Sequence, residues 1–420
     1  MDNFACVPCG RGARRANPLF AAGHKEMLNA VAMPDPAINI RHFAAFAATV
    51  RHGSVTKAAR AVNLTQPALT QAIARLEADL GATLFERGAG GMTPTEPARL
   101  LAPRAEAATA HVGSPRVTGT QLRAFLALAR AGSYAGAAEA TGLSAASLHR
   151  AVADLSVALG QRLVDKRGRS ILLTPAGERR ARGFGLAMAE LRAGLAEVAA
   201  WQGKAAGRIV VGAMPLSRAR WLPETILRFH ARHPGVGIAV VEGSHAELAG
   251  PLRDGEIDLM LGALREPAMS GAAVLDDLGQ EAVFEDRPQL VMRAGHPLLA
   301  MADPNAALAD FAWILPARDT PLRRYWEGMM RAAGVEPPAV GIECGSVLTV
   351  RQLLLGSDAL TLLSPAQLAV ELQAGVLAAL PTPAPVLRRI GIITRDGWRP
   401  TAPQAAFVAL LREVAGEGFA

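Results

Sequence analysis

One long stretch of this 420-residue chain occurs twice, and the second occurrence lies 79 positions after the first. Phe46 returns as Phe125, Gly53-Ser54 as Gly132-Ser133, and Ala58-Ala59 as Ala137-Ala138. Leu64 returns as Leu143, Leu69 as Leu148, Leu76 as Leu155, and Leu80-Gly81 as Leu159-Gly160. Thr93-Pro94 matches Thr174-Pro175 after a two-residue length change. Self-similarity of this extent means one supersecondary unit used twice.

Each copy reads as three short helices and a hairpin. In copy one, Phe43, Phe46, Ala47 and Val50 form a helical stripe, which Gly53 ends. Ser54 can cap a second helix over Val55–Val62, whose Ala58 and Ala59 allow close approach of another helix. Thr65 caps a third, with Pro67 in its first turn and Leu69, Ile73, Leu76 and Leu80 on its apolar face. Leu84–Thr93 fits a hairpin with a glycine-rich tip, and Thr93-Pro94-Thr95-Glu96 reads as a capping box opening a further helix.

Two helices joined by a tight turn and followed by a hairpin make a winged helix-turn-helix. Its third helix can enter a major groove with its N-terminal residues at base edges. Gln66, Thr70 and Gln71 suit that task, because amides and hydroxyls match donor and acceptor patterns there. Taken singly, such residues read better as a solvated helix face. Together, Ala58-Ala59, Leu64 through Ile73, Leu76-Glu77, Leu80-Gly81 and Leu84-Phe85-Glu86-Arg87 resemble the signature of LysR-type transcriptional regulators. The resemblance implies that Thr65, Gln66, Pro67, Thr70 and Gln71 face DNA and that Arg87 meets phosphate. Ser54, Lys57 and Arg75 join this expected set. The wing, Gly88-Ala89-Gly90-Gly91, lacks the family's second basic residue and reads as two residues short.

Copy two diverges in the opposite sense. Its turn, Leu143 to Arg150, has lost Gln-Pro, and Lys57 has become Gly136. Its wing, Asp165-Lys166-Arg167-Gly168-Arg169-Ser170, is strongly basic. Ser144, His149, Arg150, Lys166, Arg167 and Arg169 are its expected DNA contacts. Glu178 to Gln202 can run as one long helix, which in the resembled family pairs two subunits. The equivalent after copy one is interrupted by Pro97 and Pro103. Copy one is therefore expected to read bases, and copy two to supply dimerisation and phosphate contacts.

Charge follows this division. Residues 1–206 hold 25 basic and 14 acidic groups, whereas residues 207–420 hold 19 and 23. A basic half joined to a mildly acidic half suits one part that meets a polyanion and one that does not. No uncharged apolar run is long enough to span a membrane, and three cysteines are too few for a disulfide scaffold. The chain reads as soluble and cytoplasmic. Residues 1–35 show no period and are expected to be a disordered tail or a mis-chosen start, given Met27 and Met33. Cys6 and Cys9 form a lone CxxC without a second ligand pair, so no metal is expected, nor any cofactor.

From residue 207, apolar strand runs alternate with amphipathic helices. Strands are expected at Arg208–Met214, Val236–Glu242 and Ile257–Leu264, then near Trp313–Leu315, Val340–Glu343, Ala359–Leu363 and Val386–Ile393. Chain crossings near Val283–Arg293 and Val376–Pro381 suggest two lobes. The order resembles the LysR-type effector domain, which is like a periplasmic binding protein. Gly356 to Pro365 and Arg399-Pro400-Thr401 resemble the branch that includes the galactose-binding-protein regulator. The resemblance implies a pocket with Leu216, Ser217, Ser244, Arg318, Thr320 and Ser346, although Ser244 and Ser346 read equally as helix caps. A small carboxylate is the expected effector, since helix N-termini attract anions.

The expected architecture is an α/β chain with a helix-rich N-terminal part. A tail at 1–35 precedes winged units at 36–97 and 119–177, joined by a linker at 98–118. A dimerisation helix at 178–203 leads to an effector domain at 207–420. Lobe I takes 207–283 and 382–420, and lobe II takes 284–381. No nucleophile elbow, HExxH or phosphate loop is present, so no catalytic residue is assigned and an enzyme is not expected. The expected protein is a bacterial DNA-binding regulator, dimeric or tetrameric, that answers to a small molecule. The alternative is a degenerate regulator, or a small-molecule binder with a non-specific basic appendage.

Overall fold

The computed structural model describes residues 39–88, 91–168, 170–204, 207–265, 277–318 and 320–418. Cys6, Cys9 and Arg169 lie outside them, as does the side chain of Arg87. Copy one comprises α1 (Ile40–His52), α2 (Val55–Ala61), α3 (Gln66–Leu80), β1 (Phe85–Gly88), β2 (Gly91–Pro94) and α4 (Glu96–Val112). Copy two repeats these as α5 (Gly119–Ala131), α6 (Tyr134–Thr141), α7 (Ala145–Leu159), β3 (Val164–Arg167), β4 (Ser170–Leu173) and α8 (Pro175–Trp201).

The 79-residue offset holds through both hairpins, so the two wings are equal in length. This corrects the expected two-residue change. The helix after the first wing starts behind Thr95, not Thr93, and Pro94 is the last residue of β2. The threonines decide the register. Thr95 Oγ1 donates to Thr83 O at 2.7 Å, and Thr174 Oγ1 donates to Arg162 O at 2.7 Å. Met92 N and Ile171 N likewise bond to Gly53 O and Gly132 O.

A second correction concerns residues 98–118. Here α4 runs unbroken to Val112. Pro97 sits in its first turn, where an N–H is missing anyway. Pro103 lies inside the helix with its ring exposed. What holds the helix through Pro103 is packing along α8, where Leu101 and Arg104 lie against Gly194. The long α8, expected to pair two subunits, thus lies against α4 of its own chain.

The C-terminal domain has two lobes. Lobe I carries a five-stranded sheet built from β5 (Arg208–Ala213), β6 (Gly237–Glu242), β7 (Leu259–Ala263), β8 (Leu278–Asp286) and β14 (Arg388–Arg395). Their order across the sheet is β6-β5-β7-β14-β8. The first three are parallel, and β14 runs antiparallel to β7 and β8. Helices α9 (Trp221–Arg232), α10 (His245–Arg253) and α14 (Ala402–Gly416) cover it, with Trp221, Phe229 and Phe407 in the core.

Lobe II pairs β9 (Gln289–Arg293) with β12 (Thr361–Leu363) and β13 (Leu377–Leu380), and β10 (Ile314–Leu315) with β11 (Ile342–Glu343). Helices α11 (Pro321–Ala332), α12 (Val347–Leu355) and the short α13 (Ala369–Gln373) complete it around Trp313 and Trp326. The second crossing follows β13 rather than occupying Val376–Pro381, because buried Leu377 pairs with Arg293 in the lobe II sheet. Where the two passages meet, buried Asp286 and Arg388 form an ion pair, Nε to Oδ2 at 2.8 Å. Among the described residues, no helix is long and apolar enough to cross a membrane.

Candidate functional site

Thr65 begins α3 by accepting a hydrogen bond from Ala68 N at 3.3 Å. That cap fixes where the helix starts and which side chains lead it. Gln66, Pro67, Gln71 and Arg75 are exposed, and Thr70 is half-buried. Helical spacing places Gln66 beside Thr70, and Pro67, Gln71 and Arg75 in one row. The opposite face, Leu69, Ile73 and Leu76, is buried. Lys57 is exposed on α2, while Ser54 is half-buried and makes no side-chain cap. Glu77, with no role assigned from the sequence, ties the wing to α3. Its Oε1 accepts from Leu84 N at 2.7 Å and Phe85 N at 3.3 Å.

The corresponding helix of copy two presents different chemistry. Ser144, His149 and Arg150 are exposed, with Ala145 and Ala146 in place of Gln-Pro. Ser144 caps α7, and the His149 ring lies 5.2 Å from that of Tyr134. Lys166 and Arg167 are exposed on β3, and Asp165 is engaged with Arg162 at 2.7 Å. Serine replaces Glu77 at position 156 and bonds to Val152 O, so this wing lacks the carboxylate tie.

The expected pocket residues lie at C-terminal ends of parallel strands in both lobes, where open α/β sheets bind ligands. Leu216 follows β5 and is half-buried, and Ser244 follows β6. Arg318 and Thr320 follow β10, and Ser346 follows β11. Ser244, Thr320 and Ser346 each accept a helix-capping hydrogen bond, from Glu247 N, Arg323 N and Thr349 N respectively. Ser217 is a correction. It is fully buried and its hydroxyl donates to Met214 O at 2.8 Å, closing the turn rather than facing a ligand.

These turns carry ion pairs. Arg218 pairs with Glu242 across the exits of β5 and β6. Arg318 and Arg323 each lie 3.8 Å from Glu343 across the exits of β10 and β11. His245 and His296 are both buried. Burial, with Arg265 and Arg253 nearby, pushes His245 down to about 4 and keeps it neutral. His296 is structural, since its Nδ1 accepts from Leu298 N at 3.0 Å.

Comparison with known proteins decides the lineage. Residues 40–99 and 120–178 each match the family described as "Bacterial regulatory helix-turn-helix protein, lysR family". Residues 202–416 match "LysR substrate binding domain", more than half of the chain. The chain belongs to the LysR family. It is a DNA-binding transcriptional regulator with two winged units ahead of one substrate-binding domain.

The HTH-type transcriptional regulator GalR of Pseudomonas putida is 33% identical over 393 residues, covering 90% of this chain and 98% of that protein. PcaQ of Agrobacterium fabrum is 30% identical over 314 residues, covering 72% of this chain and 97% of its own. In fold, this LysR-family chain is similar to a full-length OxyR variant from Pseudomonas aeruginosa, with TM-score 0.51 and 22% identity over 70% of this chain and 93% of that one. CbnR, a LysR family regulator, gives TM-score 0.50 at 22% identity over 70% and 98%.

Several residues that organise this LysR-family chain carry no local signal. Arg104, Glu190 and Glu197 meet across helices far apart in sequence. Arg130 of copy two pairs with Glu256 of the effector domain at 2.6 Å, and Arg182 of α8 lies 3.5 Å from Asp254. Between them is a cavity of about 380 Å³ lined by residues of α5, α8 and α10, including Leu126 and Pro251.

Proposed function

We propose that copy one reads operator bases through Thr65, Gln66, Pro67, Thr70 and Gln71, supported by Ser54, Lys57 and Arg75. Arg87, Lys166, Arg167 and Arg169 would meet phosphate, with Ser144, His149 and Arg150 at the second reading helix. The observation that carries this reading is the exposed amide pair of Gln66 and Gln71 at the capped start of α3. Amides at a helix start match the adenine N6 and N7 pattern in a major groove.

A small carboxylate effector is proposed between the lobes, beside Leu216, Ser244, Arg318, Thr320 and Ser346. Three capped helix starts at strand exits support it. The regulator would act on cytoplasmic DNA as a homodimer or homotetramer, switching operator binding rather than performing catalysis.

The test is to capture sheared genomic DNA with the purified protein and sequence what is enriched. Enrichment of a defined site, lost on Gln66→Ala with Gln71→Ala, supports the reading. Enrichment unchanged by those substitutions would sink it.

A further inference from the structure

The two reading helices are held by linker helices of one chain. α4 and α8 run antiparallel: Leu101 and Arg104 lie against Gly194, and His111 lies against Gly183. Val112 O accepts from Arg180 at 3.4 Å at the far end. Positions rise on one helix as they fall on the other. A Cβ on Gly183 would come within 2.8 Å of His111 O, so the two backbones approach closely at this point.

The ends of this seam lie near the turns behind the two reading helices. Past the end of α8, Gln202 Nε2 donates to Leu80 O and Gly81 O, both at 3.0 Å, at the end of the copy one reading helix. At the end of α4, Val112 is linked through Arg180 to Gln161, 3.2 Å from Arg180 Nε, just past the copy two reading helix. Gly81 and Gly160 are repeat equivalents, both left-handed C-caps. Gln202 thus reaches the turn behind the other copy's reading helix directly, and Val112 of α4 is joined to the equivalent turn of copy two through Arg180 of α8. Under the 79-residue offset Arg104 corresponds to Gly183 and His111 to Glu190, and His111 lies against Gly183 as Arg104 reaches Glu190, so the seam contacts exchange as in a two-fold relation.

The surfaces so related are unlike. Gln66 corresponds to Ala145, Thr70 to His149, Gln71 to Arg150 and Arg75 to Asp154. Amides suit adenine, and a guanidinium suits the O6 and N7 of guanine. We infer that one chain is a complete two-headed DNA-reading unit whose operator is asymmetric, with two unlike half-sites contacted by copy one and copy two of the same molecule. This rests on the proposed DNA reading. Pairing of heads between chains through α8 would require stripping α4 from the face where Gly183 and Gly194 lie against His111 and Leu101 and where Arg104 meets Glu190 and Glu197.

The experiment selects duplexes from a random-sequence DNA library with the full-length protein. The expected motif has two different half-sites at fixed spacing. Gln66→Ala with Gln71→Ala should erase preference in one half alone. His149→Ala with Arg150→Ala should erase it in the other, each weakening the selected duplex about tenfold or more. All four side chains are exposed, so unchanged thermal unfolding confirms intact variants. A dyad-symmetric motif indifferent to His149 and Arg150 would overturn the inference while leaving copy one's reading intact. No motif at all from the folded wild-type protein would overturn both.

Discussion

Arg104 of α4 and Glu197 of α8 form an ion pair across the seam, Nη2 to Oε1 at 2.6 Å, with the arginine side chain only 7% exposed. Its Nη1 also reaches Glu190 at 3.2 Å and donates to Arg399 O at 2.9 Å. One guanidinium therefore joins both linkers and the effector domain. Arg104→Met leaves two mostly buried carboxylates without their shared partner and should cost about 3 kcal/mol. Arg99, in an exposed pair with Glu96, is the control, and Arg99→Ala should cost under about 1 kcal/mol. Denaturant unfolding of the two variants decides; equal costs would mean that the seam pair contributes nothing special.

Gly185 carries the second prediction. A Cβ there would fall 2.3 Å from Asp254 O, so backbone of α8 and effector domain touch directly. Gly185→Ala should push the two apart and destabilise by about 1–3 kcal/mol. Amide exchange of Gly255 and Ile257 should accelerate, and unchanged exchange would refute a close contact.

The same contact should respond to pH. Burial, reinforced by Glu256 and opposed by Arg182, pushes the Asp254 carboxyl up to about 6. The folded chain therefore takes up a proton before the unfolded chain does as pH falls. Stability from this group rises as pH drops from 6 towards the ordinary carboxyl range, and is lost as pH climbs through 6. Asp254→Asn, which stays neutral, should stabilise the protein at pH 8 relative to wild type, with the difference shrinking at pH 5. Parallel stability curves would show that the carboxyl does not titrate in this window.

For the basic wing, Lys166→Ala, Arg167→Ala and Arg169→Ala combined should lower DNA affinity. The slope of log affinity on log salt should fall by about 0.9 per lost phosphate contact. An unaltered slope would remove these residues from the DNA interface.

Much of the fold was legible because its determinants are local. Thr65 announces a helix start, Gly53 announces an end, and the repeat makes each copy a check on the other. The wing register was misread because Thr93-Pro94 imitates Thr174-Pro175 in sequence, while the threonine bonding back across the wing is Thr95. Pro103 looked like a helix breaker because the surface that holds α4 together lies some 90 positions away, around Gly194. Ser217 looked like a ligand contact because nothing in its neighbours shows that Met214 O takes its hydroxyl. The reading helix was accessible from sequence; the coupling of Arg130, Arg182 and Arg104 to distant acids was not.

The connection from α4 to α5 spans only residues 113–118. Two separate subunits find each other at a rate and extent set by how much protein a cell contains. Segments on so short a tether meet at an effective concentration on the order of millimolar, whatever the expression level. Dilution that would part a dimer leaves the α4–α8 seam closed, so the pairing of the heads is insensitive to copy number from the moment the chain is made.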